Sequence, residues 1–253
     1  MTVFRPILFN TEMVRAILEG RKTKTRRLLK IQPEYGEEIR IRKNKDGKLV
    51  GWFYCESPML NPTIPSPWGG PEQEPPCQPG DVLWVRETWC NLPVSPGGNT
   101  RLMRGRYYYK ADDPDTRPDG WKAKWRPSIH MPKEAARLFL RVTDIRAERL
   151  QDITDADALK EGVPQDDDFP MNSVYCPVCH GEGLHGALHP ATLGYMEVDC
   201  ENCDTPVKRF SHLWDSMIKY DDMPRLGWEA NPWVWVIEFE RVQKPAEWEE
   251  YLL

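Results

Sequence analysis

Two cysteine pairs, Cys176-Pro177-Val178-Cys179 and Cys200-Glu201-Asn202-Cys203, constrain this chain more than any other feature. A C-x₂-C spacing lets one tight turn aim two sulfurs at a common point, and two such turns supply the four thiolates that a tetrahedral Zn²⁺ takes. The gap between the pairs is close to the zinc-ribbon range. Behind the first pair, His180-Gly181-Glu182-Gly183 supplies small residues that let backbone amides turn toward the sulfurs. A closed four-cysteine site leaves no coordination position open, so the expected Zn²⁺ is structural. It would staple an insertion, residues 170–209, that is too polar to fold alone. Two reduced or redox-active pairs are the alternative. His185, His189 and His212 are potential substitute ligands, whereas Cys55, Cys77 and Cys90 have no paired spacing and read as free thiols.

The second dense stretch is Ile17-Leu18-Glu19-Gly20-Arg21-Lys22-Thr23-Lys24-Thr25-Arg26-Arg27. Thr11 can cap a helix in which Met13, Val14, Ile17 and Leu18 recur at helical spacing, and Gly20 suits the left-handed residue that ends it. Lys22 and Thr25 then sit in the segment leaving the helix. On local pattern alone such a run is a solvated face. Gly20, Lys22, Thr25 and Arg27, however, resemble the signature of the ASCH branch of the PUA-like superfamily, G-x-K-x-x-E-x-R, with Thr25 where many members carry Glu. The same departure, within a helix-G-R-K-T-x-T-x-R run, is similar to the small bacterial N4-acetylcytidine amidohydrolases of the ASCH group. There the Lys and the second Thr are catalytic.

The resemblance covers Pro6–Leu29, Gly80–Trp89, Leu138–Val163 and Trp233–Val242, which are similar in order and spacing to that fold. It implies one curled small β-barrel with the signature helix beside a cleft. The larger architecture, with RPILF, RKTKTRR, PGDVLWVRETW, RPSIHMP and NPWVWVIEF together, resembles ASCH proteins carried by bacteriophages and prophages.

The 253 residues at 40% hydrophobic allow one large domain with sizeable insertions, and a single domain over 1–253 is expected. The expected class is α+β, a PUA-like barrel with flanking helices, long insertions and the zinc-ribbon-like module. A formal net charge of −5 excludes a chain that coats polyanions overall, so any nucleic-acid contact must come from local patches. No apolar run is long enough to span a bilayer, and the N-terminus lacks the apolar region of a signal peptide; a soluble, cytoplasmic protein is expected. Many of the 11 Trp and 24 Pro fall in Trp52–Pro79 and Pro93–Pro132, which read as extended insertions. Arg5–Phe9, Val82–Val85, Leu138–Val142 and Trp233–Phe239 read as strands, the last with Val234, Val236 and Glu238 alternating against Trp235, Ile237 and Phe239. Thr154-Asp155-Ala156-Asp157 resembles a capping box opening a helix that Gly162 closes, with Glu161 in its last turn. Phe210–Tyr220 carries Phe210, Leu213, Trp214, Met217 and Ile218 on one stripe, a core-packing helix.

In the related amidohydrolases the residue matching Lys22 activates the one matching Thr25, and the carboxylate matching Glu161 moves a proton toward the leaving amine. A Glu in the last helical turn meets the negative end of the dipole, which disfavours its charged form by typically 0.3–1 kcal/mol. An oxyanion would be steadied by a nearby cation such as Arg27 or by backbone amides. Arg86-Glu87-Thr88-Trp89 combines cation, carboxylate and indole in a way suited to clamping a planar base, and equally suits a strand end paired with its neighbours. By the phage resemblance, Ser128-Ile129-His130-Met131-Pro132 lines the same cleft. The candidate substrate-binding set is therefore Gly20, Arg27, Arg86, Glu87, Trp89, Ser128 and His130. Asp166-Asp167-Asp168 lacks the spacing of an EF-hand and reads as a solvated loop.

Two functions from different classes remain. One is an amidohydrolase acting on an acylated nucleoside or base such as N4-acetylcytidine. The other is a binding module for single-stranded RNA or a modified base, with nuclease activity as a variant. Lys22 discriminates between them, since a phosphate clamp keeps its lysine charged and a general base keeps it partly desolvated.

Overall fold

The computed structural model describes residues 2–32, 37–55, 73–93, 102–112, 125–164, 176, 178–179, 184–188 and 195–252. Its strands in chain order are β1 (Phe4–Leu8), β2 (Lys24–Leu28), β3 (Glu37–Lys43), β4 (Leu49–Cys55), β5 (Val82–Arg86), β6 (Trp89–Pro93), β7 (Leu102–Tyr109), β8 (Phe139–Arg149), β9 (Leu184–Leu188), β10 (Tyr195–Asp199) and β11 (Trp233–Val242). The helices are α1 (Thr11–Leu18), α2 (Asp155–Lys160), α3 (Pro206–Met217), α4 (Met223–Leu226) and α5 (Trp248–Leu252). The class is α+β, as expected. None of the described helices is long and apolar enough to cross a membrane.

Among the described residues the expected β-barrel does not close. The principal sheet is open and mixed, in the order β1-β5-β8-β11-β2, with β1 and β2 at its edges among the described strands. The other described strands satisfy their backbone groups in separate two-stranded sheets, β3 with β4, β6 with β7 and β9 with β10, so they add nothing to those edges. By chain contacts the molecule divides into two units. The first comprises Met1–Thr23, Cys77–Asp144 and Glu238–Leu253, the second Lys24–Pro76 and Ile145–Ile237.

In the first unit β1 runs parallel to β5, from Phe4 opposite Val82 to Leu8 opposite Arg86. β5 pairs antiparallel with β8 through Val82–Arg141 and Trp84–Phe139. The helix α1 is capped one residue earlier than expected, because the Asn10 side chain, not that of Thr11, accepts from Met13 N at 2.8 Å. Gly20 takes φ +79° as foreseen, and Gly20 N to Ile17 O (3.1 Å) with Lys22 N to Ala16 O (3.0 Å) satisfies the end carbonyls. Phe4, Val82, Trp84, Ala136 and Phe139 form a core that Trp248 completes. The short α5 delivers that indole, fully buried and edge-on to Phe4 and Phe139 at centroid distances of 5.2 and 5.0 Å.

In the second unit the Asn44 side chain accepts from Asp46 N and Lys48 N, and Gly47 at φ +77° turns β3 into β4. Gly51 on β4 must be glycine for a separate reason. A Cβ there would lie 2.8 Å from the Trp235 indole. The residues expected to alternate on β11 are instead buried on both faces from Val234 to Ile237, which suits a strand between β8 and β2. In α2, Thr154 accepts from Asp157 N at 3.2 Å and Gly162 ends the helix at φ +90°, as the sequence implied. The core helix expected over Phe210–Tyr220 is α3, which opens four residues earlier at the Thr205 cap and Pro206 and buries Phe210, Leu213 and Trp214. Most of the stretch expected as insertions, together with Asp166–Asp168, His180–Gly183 and His189, lies outside the described residues.

Trp248→Ala leaves a large void in the first unit and should lower stability to denaturant by about 3–5 kcal/mol. Trp248→Phe should cost clearly less, because the indole nitrogen has no hydrogen-bond partner among the described residues. Equal losses for the two variants would contradict the packing role.

Candidate functional site

The sulfurs of Cys176, Cys179, Cys200 and Cys203 all lie within 4.8 Å of one another, and all four residues are buried. Cys176 and Cys200 Sγ are 3.6 Å apart, and Cys179 and Cys203 Sγ 3.3 Å, too long for disulfide bonds of about 2.05 Å. A tetrahedron of sulfurs at Zn–S distances near 2.3 Å has edges of about 3.8 Å, slightly longer than these two separations and within the 4.8 Å span of the cluster. Cys203 N donates to Cys200 O at 3.2 Å and closes the second knuckle, while the antiparallel β9–β10 hairpin occupies the chain between the pairs. Burial pushes the Cys200 and Cys203 thiols above the ordinary thiol range, and Cys176 and Cys179 add to the effect at both. Four clustered cysteine sulfurs fit the donor set of a soft metal ion. Among the described residues this is the one group of metal-ligating type that converges. His212 is not part of it; its Nε2 meets Asn202 O at 2.9 Å.

A second polar centre lies in the same unit and was not foreseen. Lys24 and Arg26 alternate onto one face of β2, and both reach Asp157. Lys24 Nζ contacts Asp157 Oδ1 at 2.7 Å. The Arg26 side chain has no exposure; it contacts Glu148 Oε1 at 2.5 Å, Glu161 Oε1 at 3.1 Å and Asp157 Oδ2 at 3.7 Å. Arg146 approaches Glu148 at 3.0 Å and Asp157 at 3.9 Å. The Phe210 ring lies 5.7 Å from the guanidinium carbon of Arg26. Burial by itself would raise the Asp157 carboxyl, but the Lys24 hydrogen bond and the charges of Lys24, Arg26 and Arg146 outweigh it and hold the group below the usual range. Asp157 is thereby drawn to Lys24 and Arg26 from the end of α2 where a capping box would have used it.

The three residues expected to be catalytic are all withdrawn from water, with exposures of 2% for Lys22, 1% for Thr25 and 3% for Glu161. Lys22 belongs to the first unit, where its Nζ lies 5.5 Å from the Phe9 ring centroid. Thr25 lies on β2, and Glu161 caps the C-terminal end of α2 within reach of Arg26. Arg27 is partly buried on β2 and donates to Arg26 O at 3.4 Å.

Around the exit of β5 the structure brings the RETW stretch against the Ser128–His130 turn. Arg86 donates to Ile129 O, and its guanidinium lies 5.6 Å from the Trp84 ring. Glu87 N donates to Met131 Sδ at 3.2 Å. The Glu87 carboxylate is held by Arg137 in two bonds of 2.8 and 2.9 Å, so the strand-end pairing is what forms. Burial pushes Glu87 above the usual carboxylate range, against the lowering effect of Arg137. Trp89 is buried edge-on to Tyr107, with the Arg126 guanidinium 5.1 Å from its ring. Ser128 is partly exposed and His130 exposed.

Comparison of the chain with protein-family models, curated proteins and solved structures finds no match. Sequence reasoning missed Lys24, Arg26, Arg137, Arg146, Glu148 and Asp157. The available signal was the charge alternation Lys24-Thr25-Arg26 in a segment with strand character, opposite an acidic helix start.

Protein purified without added metal should carry close to one equivalent of metal per chain by elemental analysis, and Cys176→Ser should remove most of it. Metal far below one equivalent in both proteins would refute a metal centre. A second expectation concerns pH. A carboxylate whose folded pKa is depressed stabilises the fold above its unfolded pKa, and that contribution disappears as pH falls through the folded value. Asp157→Asn should therefore be less stable than wild type to urea at neutral pH, with the gap closing in acid. A gap independent of pH would contradict the Lys24–Asp157–Arg26 assignment.

Proposed function

We propose that this protein is an amidohydrolase that removes an acyl group from the exocyclic amine of a nucleobase, with N4-acetylcytidine as the representative substrate. In this reading the fold is a variant of the PUA-like ASCH type, and the cysteine cluster holds a structural Zn²⁺. The observation that carries it is the burial of Lys22. A lysine removed from water is disfavoured in its charged form, as a base requires, whereas a phosphate-clamping lysine stays at the surface.

The rest of the basic run supports the same choice. Lys24 and Arg26 are buried against carboxylates, and Arg21 pairs with Glu19, so these cations are engaged within the protein. Thr25 is the nucleophile in this scheme. Its oxygen attacks the acyl carbon while its proton passes to Lys22, Arg27 steadies the oxyanion, and the Glu161 carboxylate relays the proton from Lys22 to the departing amine as the C–N bond breaks. Water then cleaves the acyl–Thr ester and returns the free hydroxyl.

The test is release of cytidine from N4-acetylcytidine by the purified protein. Lys22→Ala and Thr25→Ala should abolish turnover, and Glu161→Gln should lower kcat by about 10²–10⁴ without loss of fold. Turnover surviving Thr25→Ala would rule out the acyl-Thr route. Absence of turnover of any acylated cytosine by wild type would replace this reading with that of an RNA- or modified-base-binding module.

A further inference from the structure

Three side chains of α3 converge on one turn of backbone. Lys208 Nζ donates to Glu201 O at 2.6 Å, His212 Nε2 meets Asn202 O at 2.9 Å, and Arg209 Nε donates to Cys203 O at 2.7 Å. Three successive carbonyls of the second cysteine knuckle are thus held by a single helix. Arg209 alone is buried, and it does more, donating through Nη1 to Pro164 O at 3.1 Å. Pro164 lies three residues beyond Glu161, past the Gly162 turn that ends α2. One guanidinium therefore clamps the carbonyl of a metal-type cysteine to the segment that carries the candidate proton donor.

Two further contacts join the same helix to the same place. Val207 N donates to Asp155 Oδ1 at 3.1 Å, tying the start of α3 to the start of α2. The Phe210 ring lies against Arg26, which grips Glu161. A buried guanidinium does not readily abandon either carbonyl, because a charged donor left without its acceptor loses the bond while it remains withdrawn from water. The Cys203 and Pro164 carbonyls are consequently restrained as a pair.

We propose that Arg209 is a positioning residue that makes the Glu161 segment depend on metal occupancy of the cysteine cluster. Ligation fixes the Cys200–Cys203 turn, Arg209 transmits that fixity to Pro164, and the final turn of α2 is held. Stripping the metal frees the knuckle and loosens the turn. The consequence for catalysis rests on the amidohydrolase reading; the mechanical coupling does not.

Amide hydrogen exchange tests it on the full chain with its metal. The relevant amides are those of Glu161, Gly162 and Val163, which donate to Asp157 O, Leu159 O and Ala158 O. Removing the metal from wild type with a chelator should speed their exchange by roughly tenfold or more, while Val85 N, bonded to Leu138 O in the first unit, is unaffected. Arg209→Met with metal retained should show the same acceleration, and chelation should add nothing further to it. Additive effects of the mutation and of chelation would overturn the coupling, as would unchanged exchange at these amides or equal acceleration at Val85. If Arg209→Met fails to fold or to hold metal, the chelated wild type decides alone. Kinetics separate the two readings, since with N4-acetylcytidine Arg209→Met should lower kcat at unchanged KM. A wild type that turns over no substrate would refute the amidohydrolase and leave the exchange result standing.

Discussion

A guanidinium sealed from water must have its charge answered inside the protein, and in the second unit that requirement falls on Arg26. Moving such an ion out of water costs several kcal/mol, which close carboxylates and good hydrogen bonds can offset. Glu148 near the end of β8, Asp157 in α2 and Glu161 at its cap all turn toward it. The short α2 is thus pinned near both ends by charge, although six residues are too few to hold a helix by propensity. Because Asp157 is also the partner of Lys24, one carboxylate ties two successive same-face residues of β2 to that helix.

The first unit is held by a different kind of contact. Its core is aromatic, and the ring that closes it comes from Trp248 in a short stretch flanked by Glu and Pro. Burial of large rings in edge-to-face geometry needs no partner charges, and among the described residues the indole nitrogens of Trp84 and Trp248 find no acceptor. A buried ion pair there, Glu87 with Arg137, extends outward to Asp112 and lies under the Tyr109 ring, where burial carries the phenol up to about 12.

What was legible in the sequence followed from local rules. Gly20 and Gly162 were readable because only a left-handed residue ends those helices, and the four cysteines because two tight turns can hardly point elsewhere. Strands Val82–Arg86 and Trp233–Val242 announced themselves by apolar content. The failures were of long range. Nothing local distinguishes a sheet that closes from one that stays open, so the barrel was not readable. Nor does a local pattern reveal that Lys24 would find Asp157, or Arg209 would find Pro164, since those partners lie 133 and 45 residues away. Trp89 looked like a platform for a base because an indole beside two charges has that composition; the packing of Tyr107 and Arg126 on it depends on the β6–β7 hairpin.

One further property follows from the place of β2 in the sheet. Among the described strands it lies at an edge, and an edge strand is where a second chain can add itself to a sheet. Lys24, Arg26 and Arg27 make this strand a poor template, because a newcomer would have to bury against cations, two of which already point inward. The residues that anchor the polar centre thereby also guard the molecule against polymerising through its own edge.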